Sequence, residues 1–548
     1  MRTLVRLCRP RFFGSATSLH SRTFESTVNS NDTIFALATG SGQAGLAVVR
    51  VSGPRAFDVF TNMARTHSKG RRFRRIPPAR QATLVQIHAI DSVGRKKEEE
   101  VLDRDVLALL FESPASFTGE DTVELHVHGS VAVVDAVLRH MASLPEVRQA
   151  EAGEFTKRAV LNGKMSPLQA EALGDLLSAT TQEQRRHALR QMDGRLAEHV
   201  SSWRNTLLSV VADIDTYLDF ADEFLQDEES VLEQRNVAPV VVSVRRQIGT
   251  VLDSASQGAI VDRGARVALV GACNAGKSSL LNKICQSDVA IVHNEAGTTR
   301  DTVHGSVDLS GLKVTMQDTA GLRELPEDHH VEREGMKRSR SQWNDAHVRL
   351  AVFDMQHVSA GVTCSETVSL VARALTGSAR NKDGSVKPVI CVLNKSDLVE
   401  PSQWSHCERS LRDSLAAAVA DDDTCDIARA RALVDSVVVV FSSCHSASSL
   451  DDAGVGAVER AVSASLRQFV PESGTNVVLT RRRHADLLND AYDDLSNSID
   501  CLKREDGAAL ASEHARRALV ALDALACEGR VGHEDILNKI FADFCIGK

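Results

Sequence analysis

The most specific chemistry in the chain lies in Gly271-Ala272-Cys273-Asn274-Ala275-Gly276-Lys277-Ser278, a G-x-x-x-x-G-K-S loop. Its glycines let successive backbone N–H groups turn inward around phosphate oxygens. Lys277 reaches the outer phosphates, and the Ser278 hydroxyl is placed to ligate Mg²⁺. Such a loop needs a strand before it and a helix after it. "RVALVG" supplies the strand and "KSSLLNKI" the helix, so Ala275, Gly276 and Ser279 complete the candidate phosphate cradle.

A second motif selects the base. Asn394-Lys395-Ser396-Asp397 follows the apolar run "PVICVL". The carboxylate of Asp397 accepts from the N1–H and the 2-amine of guanine, neither of which adenine offers. Ser443, near the end of "VVVVFSS", is placed to give a backbone N–H to the guanine O6. Between these motifs lies "MQDTAG". Asp318 there is a carboxylate acting on Mg²⁺ through water, and Thr319 and Ala320 lead to Gly321, whose N–H senses the terminal phosphate. "AGTTRD" adds Thr298 and Thr299, the latter as a second Mg²⁺ hydroxyl. Four elements in this order predict a GTP-hydrolysing, Ras-like core. Its strands read as "VALVG", the hairpin "GSVDLSGLKVTMQ", "RLAVFD", "PVICVLN" and "VVVVFSS", a mostly parallel, doubly wound sheet.

The residue after "DTAG" is Leu322, where Ras-type enzymes carry a water-orienting Gln, so hydrolysis must use other groups. Asn274 and the segment "HNEAGTT" (293–299) offer a cage for a monovalent cation beside the phosphates. Such a cation would do the electrostatic work of an arginine finger. The competing reading is that Asn274 only turns the loop.

These motifs must be held by something. Residues 165–262 and 480–529 read as long amphipathic helices, for example "LAEHVSSWRNTLLSVVADIDTYLDF" and "RRRHADLLNDAYDDL". Helices on both sides of a GTPase core predict one bundle with the core inserted into it. The polar stretches "SARNKDGSVK" and "AVADDDTCDIA" read as loops within the core. Near the start, "GLAVVRVSGP" and "VLALLF" are strands, and "SPASFTGEDTVELHVHGS" is a polar loop running into another. On composition alone, Arg50, Glu124, His126 and His128 read as a solvated strand face. The fold expected is therefore multidomain, α/β plus all-α. It comprises an N-terminal α+β domain (30–148), a discontinuous helical bundle (149–262 and 473–548) and an inserted P-loop GTPase domain (263–472).

With 548 residues, 43% hydrophobic and 25% charged, the composition is that of a multidomain globular chain. No apolar run approaches the ~18 residues of a membrane span, so no membrane insertion is expected. Eleven Cys without a C-x-x-C pair argue against structural zinc and a disulfide framework. The first residues hold Arg2, Arg6, Arg9, Arg11 and Arg22 and no acid before Glu25, the composition of a mitochondrial transit peptide over 1–28. The net charge of −9 falls to about −14 without those five cations. So acidic a protein does not coat itself with nucleic acid, and any RNA contact must be local or carried by a partner.

The last residues are "FCIGK". Cys545 sits where a prenylated cysteine would, but Gly547 is not aliphatic and Lys548 is not a usual final residue, so no lipid is expected. "ILNKIFADF" before it is apolar at helical spacing and predicts a docked helix that holds the tail.

Over nearly its whole length the chain resembles the MnmE/TrmE family of tRNA modification GTPases. The resemblance rests on "DTIFALAT" with "VVRVSGP", "SFTGEDTVELHVHG", "GEFTKRAVLNGK" with "QAEAL", "NAGKSSLLN", "AGTTRD", "DTAGLRE" and "FCIGK". With the basic leader, it points to a mitochondrial member, in the matrix. The resemblance implies an N-terminal domain that forms a homodimer and binds 5-formyl- or 5,10-methylene-tetrahydrofolate through Arg50, Glu124, Lys164 and Lys548. It implies Glu332, in "HVEREG", as the residue that orients the attacking water. It implies K⁺ held by Asn274, His293, Glu295 and Thr298. The implied reaction is modification of C5 of the wobble uridine in certain tRNAs, by a carboxymethylaminomethyl- or taurinomethyl-type group, using the folate one-carbon unit. An FAD-dependent MnmG-type subunit shares that reaction in a heterotetramer-like complex. Cys545 is then either a nucleophile or a wall of the folate pocket. The alternative is a cation-dependent GTPase switch of the ribosome-assembly kind, which would lack the N-terminal motifs and the terminal Cys.

Overall fold

A computed structural model describes residues 32–89, 100–219, 236–286, 304–318, 340–376, 387–421, 427–444, 454–470, 478–504, 506–526, 540–541, 544 and 547. The chain divides into two compact units, 1–162 with 545–548, and 163–544.

The first unit is a seven-stranded sheet with helices on both faces. Its elements are β1 (Thr33–Leu37), β2 (Leu46–Ser52), α1 (Ala56–Met63), β3 (Ala64–Thr66), β4 (Thr83–His88), β5 (Val101–Phe111), β6 (Thr122–His128), α2 (Val131–Ala142), β7 (Val147–Gln149) and α3 (Glu154–Leu161). The strand order is β3-β4-β5-β6-β2-β1-β7. Only β1–β7 is parallel. Side chains alternate across each strand, and here that alternation separates two kinds of surface. Ala47, Val49 and Val51 of β2 and Val123, Leu125 and Val127 of β6 join the core shared with Val59, Phe60 and Met63 of α1 and Val137 and Met141 of α2. The residues between them, including Arg50, Glu124 and His126, face the other way.

The second unit combines a helical bundle with a nucleotide-binding sheet. The chain builds α4 (Pro167–Ser178), α5 (Gln182–Met192), α6 (Arg195–Asp219), α7 (Val237–Leu252) and α8 (Ala255–Arg263) before the sheet begins. There follow β8 (Ala265–Gly271), α9 (Lys277–Gln286), β9 (His304–Leu309), β10 (Leu312–Asp318), β11 (Val348–Asp354), α10 (Met355–Ser359), α11 (Ser365–Leu375), β12 (Val389–Asn394), α12 (Trp404–Ala420), α13 (Ile427–Asp435), β13 (Val438–Ser442) and α14 (Val455–Arg467). The sheet order is β13-β12-β11-β8-β10-β9, parallel except for β9. Its central strands are apolar on both faces because helices cover both: every residue of β11 and β12 is buried. The chain then returns to the bundle through α15 (Arg482–Leu502) and α16 (Ala508–Ala526). Trp203, Leu207 and Ile214 of α6, Val241 and Ile248 of α7, Leu488 and Leu495 of α15 and Leu522 of α16 form one core.

The two chain crossings between bundle and sheet lie side by side. The Leu479 N–H donates to Ser254 Oγ at 3.3 Å, and Gln191 Nε2 donates to the Val478 carbonyl and to Thr480 Oγ1 at 3.1 and 3.0 Å. Sheet and bundle touch again where the Glu183 N–H donates to the Gly311 carbonyl. The expected insertion of the GTPase core into a helical bundle is what these paired crossings produce. Near the chain end, Ile540 and Phe541 are buried, and the rings of Phe541 and Phe544 pack edge to face. Among the described residues, no helix is long and apolar enough to cross a membrane.

Candidate functional site

The phosphate loop leaves β8 at Gly271 and enters α9 at Lys277, so the positive end of the helix dipole lies at the loop. Asn274 takes the left-handed conformation at φ +63°, and its side chain is exposed. It therefore does turn the loop, and its amide remains open to solvent. Gly276 has φ +93°, and a Cβ there would run into the side-chain amide of Asn394. Any other residue at Gly276 would be both strained and sterically blocked. Lys277 is buried, with Nζ donating to the carbonyls of Gly271 and Ala272 at 3.1 and 3.0 Å. The ammonium thus lies within the cradle formed by the loop. Ser278 and Ser279 are exposed at the first turn of α9, and Ala275 is buried beneath the loop.

The base-reading segment is tied directly to this loop. Buried Asn394 donates from Nδ2 to the Ala275 carbonyl at 2.8 Å. Lys395 turns the chain at φ +63°, and Asp397 is exposed just beyond it. Ser443 is buried after β13, and the Cys444 thiol lies 3.9 Å from Asn394 Oδ1. Burial, with Asp397 nearby, pushes the Cys444 thiol above its ordinary value, so it stays protonated. These distances fit a guanine nucleotide: a cationic phosphate cradle at one end, an exposed carboxylate at the other, and a hydrogen bond locking the two together. The backbone of Asp318 ends β10 beside β8. Its side chain lies outside the described residues, as do His293, Glu295, Thr298, Thr299, Thr319, Ala320, Gly321 and Glu332. Of the expected cation ligands, Asn274 alone is described.

The second cluster lies on the face of the seven-stranded sheet opposite α1 and α2. Arg50 and Glu124 sit opposite each other in register on β2 and β6. Arg50 Nε donates to Glu124 Oε1 at 2.9 Å, and Nη2 lies 2.8 Å from the same oxygen. The two side chains are 13% and 18% exposed, so the reading of a solvated face is corrected: they form a half-buried ion pair. Burial comes from two aromatic rings absent from that reading. The Arg50 guanidinium lies 5.1 Å from the Phe117 ring centroid and 5.7 Å from that of Phe155. Phe117 belongs to "SFTGED" and Phe155 to "GEFTK", so the sequence signal existed, but only the fold brings both onto β2. Two polar atoms on this face, Arg50 Nη1 and His126 Nε2, are buried without a hydrogen-bond partner. An unpaired buried donor is costly, so this face suits a ligand carrying an acceptor. Only His128 keeps the solvated character expected: its side chain is 63% exposed, and Nδ1 lies 2.7 Å from buried Asp103.

Lys164 is exposed in the turn after α3 and belongs to the second unit. Cys545 and Lys548 lie outside the described residues. Gly547, between them, belongs to the first unit. It has φ +99°, and a Cβ there would collide with the Leu37 carbonyl at the end of β1.

Similarity to known proteins agrees with this geometry. The sequence model of the MnmE helical domain matches residues 168–545, and that of the "GTP-binding protein TrmE N-terminus" matches 33–164. The chain is 38% identical over 523 residues to the tRNA modification GTPase MnmE of Rhodospirillum rubrum, covering 94% of this chain and 99% of that protein. It is 38% identical over 531 residues to the mitochondrial 5-taurinomethyluridine-[tRNA] synthase subunit GTPB3 of Mus musculus, covering 96% and 95%. It is 36% identical over 520 residues to the same subunit of Homo sapiens, covering 95% and 94%. With the paired crossings, the phosphate loop, both domain matches and the near full-length relatives in place, the chain belongs to the MnmE/TrmE family of tRNA modification GTPases.

Proposed function

We propose that this protein is the GTP-hydrolysing component of a mitochondrial complex that modifies C5 of the wobble uridine in certain tRNAs, taking a one-carbon unit from a reduced folate. The observation that carries this reading is the coexistence in one chain of two sites. One is the Asn394–Ala275 lock between base-reading and phosphate loops. The other is the Arg50–Glu124 face with an unpaired Arg50 Nη1. A folate offers that face a flat pterin with ring donors and acceptors and a glutamate tail, matching one cation, one carboxylate and two aromatic walls. Lys164 and Lys548 are the further folate-binding residues of this reading.

On the GTP side, Lys277 and the N-terminus of α9 hold the phosphates, Asp397 reads the base, Ser278 and Thr299 would hold Mg²⁺, and Asp318 would act on it through water. Glu332 orients the attacking water. Mg²⁺ and K⁺, when bound, supply positive charge that offsets the charge developing on the transferred phosphate. Asn274, His293, Glu295 and Thr298 are the residues that would hold K⁺. GTP turnover acts as a conformational switch in a homodimer rather than as the chemistry on the uridine. A flavin-dependent MnmG-type subunit shares that chemistry and supplies most of the grip on tRNA, which suits a chain with a net charge of −9. The relatives named mitochondrial 5-taurinomethyluridine-[tRNA] synthase subunits favour taurinomethyl as the added group and the mitochondrion as the compartment, and the leader at 1–28 would carry the chain to the matrix.

Mass spectrometry of mitochondrial tRNA from cells lacking this chain tests the function. Loss of the C5 substituent is expected, and unchanged wobble uridines would overturn the reading. GTP turnover should rise sharply when K⁺ replaces Na⁺, and equal rates in the two salts would remove the cation cage. Cys545→Ser should abolish modification but spare GTP hydrolysis. Retained modification would reduce the thiol to a packing role.

A further inference from the structure

The base-reading lysine is held by a carboxylate that no motif contains. Asp354 is the last residue of β11 and lies in register beside Asn394, the last residue of β12. Its side chain is only 8% exposed, and Oδ2 accepts from Lys395 Nζ at 2.6 Å. Its other oxygen, Oδ1, accepts from the Gln356 N–H at 3.0 Å and so caps the start of α10. Lys395 occupies the left-handed region at φ +63°, a conformation that costs a non-glycine residue about 1 kcal/mol. A strained backbone persists only where its surroundings over-determine it. Here two bonds do so on either side of the same turn: Asn394 Nδ2 to the Ala275 carbonyl, and Lys395 Nζ to Asp354.

The geometry points to Asp354 as a positioning residue for guanine recognition, acting through Lys395. With Nζ anchored on Asp354, the lysine stem is fixed beside the place Asp397 reads, and the loop is already in its binding shape before nucleotide arrives. Ordering the loop then costs nothing on binding, and a bound nucleotide leaves only by working against a fixed wall. Lys395 is 30% exposed while Asp354 is buried, so the carboxylate is committed to the lysine and to the α10 N–H, with His357 Nδ1 3.9 Å from Oδ2. This rests on the reading of the loop as a GTP site, and the test keeps the two apart.

The two oxygens of Asp354 allow its two tasks to be separated. In Asp354→Asn, the side-chain carbonyl still caps Gln356, but the amide cannot anchor an ammonium. The measurement is dissociation of a fluorescent GDP analogue and steady-state GTP hydrolysis in the full chain, for wild type, D354N, D354A, K395M and D354N/K395M. D354N should release nucleotide about tenfold faster and raise KM for GTP about tenfold, with kcat within about twofold and Tm within about 1 °C of wild type. D354A should add a loss of Tm. The double variant should be no worse than K395M alone, because both changes remove one interaction. Wild-type release rates in D354N, or additive effects in the double variant, would overturn the proposal. Failure of the GTP-site reading looks different: wild type itself would then fail to prefer GTP over ATP, and Asp397→Asn would not shift preference toward xanthosine triphosphate.

Discussion

Around the phosphate loop, the groups on offer are largely backbone: the loop itself, the start of α9, and a glycine whose missing Cβ makes room for Asn394. On the Arg50 face of the seven-stranded sheet they are side chains: a guanidinium, a carboxylate and two rings carried by separate elements. A backbone site constrains residue type at fixed spacing, because only certain residues permit the conformation. A side-chain site constrains which residues end up opposite each other across a sheet, and that spacing differs in every fold. The first therefore announces itself in eight consecutive residues, and the second spreads over Arg50, Phe117, Glu124 and Phe155.

That contrast can be broken at Gly276. Gly276→Val places a side chain against Asn394 at φ +93°. GTP affinity by calorimetry should fall by more than about 100-fold while circular dichroism stays native. Binding within tenfold of wild type would mean the loop is not set by its backbone.

A cluster of the second kind, with its oxygens fully used, lies in the second unit. Buried Glu171 accepts from His484 Nε2 at 2.5 Å and from Arg483 at 2.7 Å, with Arg481 Nε 3.9 Å away. Burial alone would raise its pKa, but the His484 hydrogen bond and the charges of His484, Arg483 and Arg481 outweigh burial and hold it at about 2. A carboxylate depressed from its ordinary value of 4.5 adds stability that is present above pH 4.5 and lost as pH falls toward 2. That contribution is about 3 kcal/mol, at 1.36 kcal/mol per unit. Urea titrations of wild type and Glu171→Gln should differ most above pH 4.5 and converge toward pH 2. A gap independent of pH would show that packing, not charge, holds the cluster.

The smallest expected effect is on the sheet face. Arg50→Met should weaken binding of 5-formyl-tetrahydrofolate about tenfold, and Glu124→Gln by less, because Arg50 and its unpaired Nη1 remain. Equal losses would mean that the ion pair acts as a unit, which would sharpen the contrast with the nucleotide site.

Much of the fold was legible in the sequence. The central strands announced themselves as unbroken apolar runs, since helices cover both faces of β11 and β12. The bundle announced itself through helical periodicity on either side of the core. The sheet face was misread because composition treats Arg50 and Glu124 as charges that want water, whereas two rings from distant segments remove that water. The "RRRH" run at 481–484 reads as part of an amphipathic helix, with no sign that His484 and Arg483 close over a buried carboxylate contributed by α4. Asp354 was invisible as well, since a single acid at the end of an apolar strand carries no periodic or motif signal.

The sequence by itself determined what requires a particular backbone or a particular base edge: the phosphate loop, the guanine reader, the strand and helix periods, and through them the family. The tertiary structure alone decided which charges are paired, which are orphaned and which carboxylate anchors Lys395. The physical reason is that backbone conformation is a local property of a few consecutive residues. The energy of a charge depends on what surrounds it in space, and that is known only once the strands and helices have been brought together.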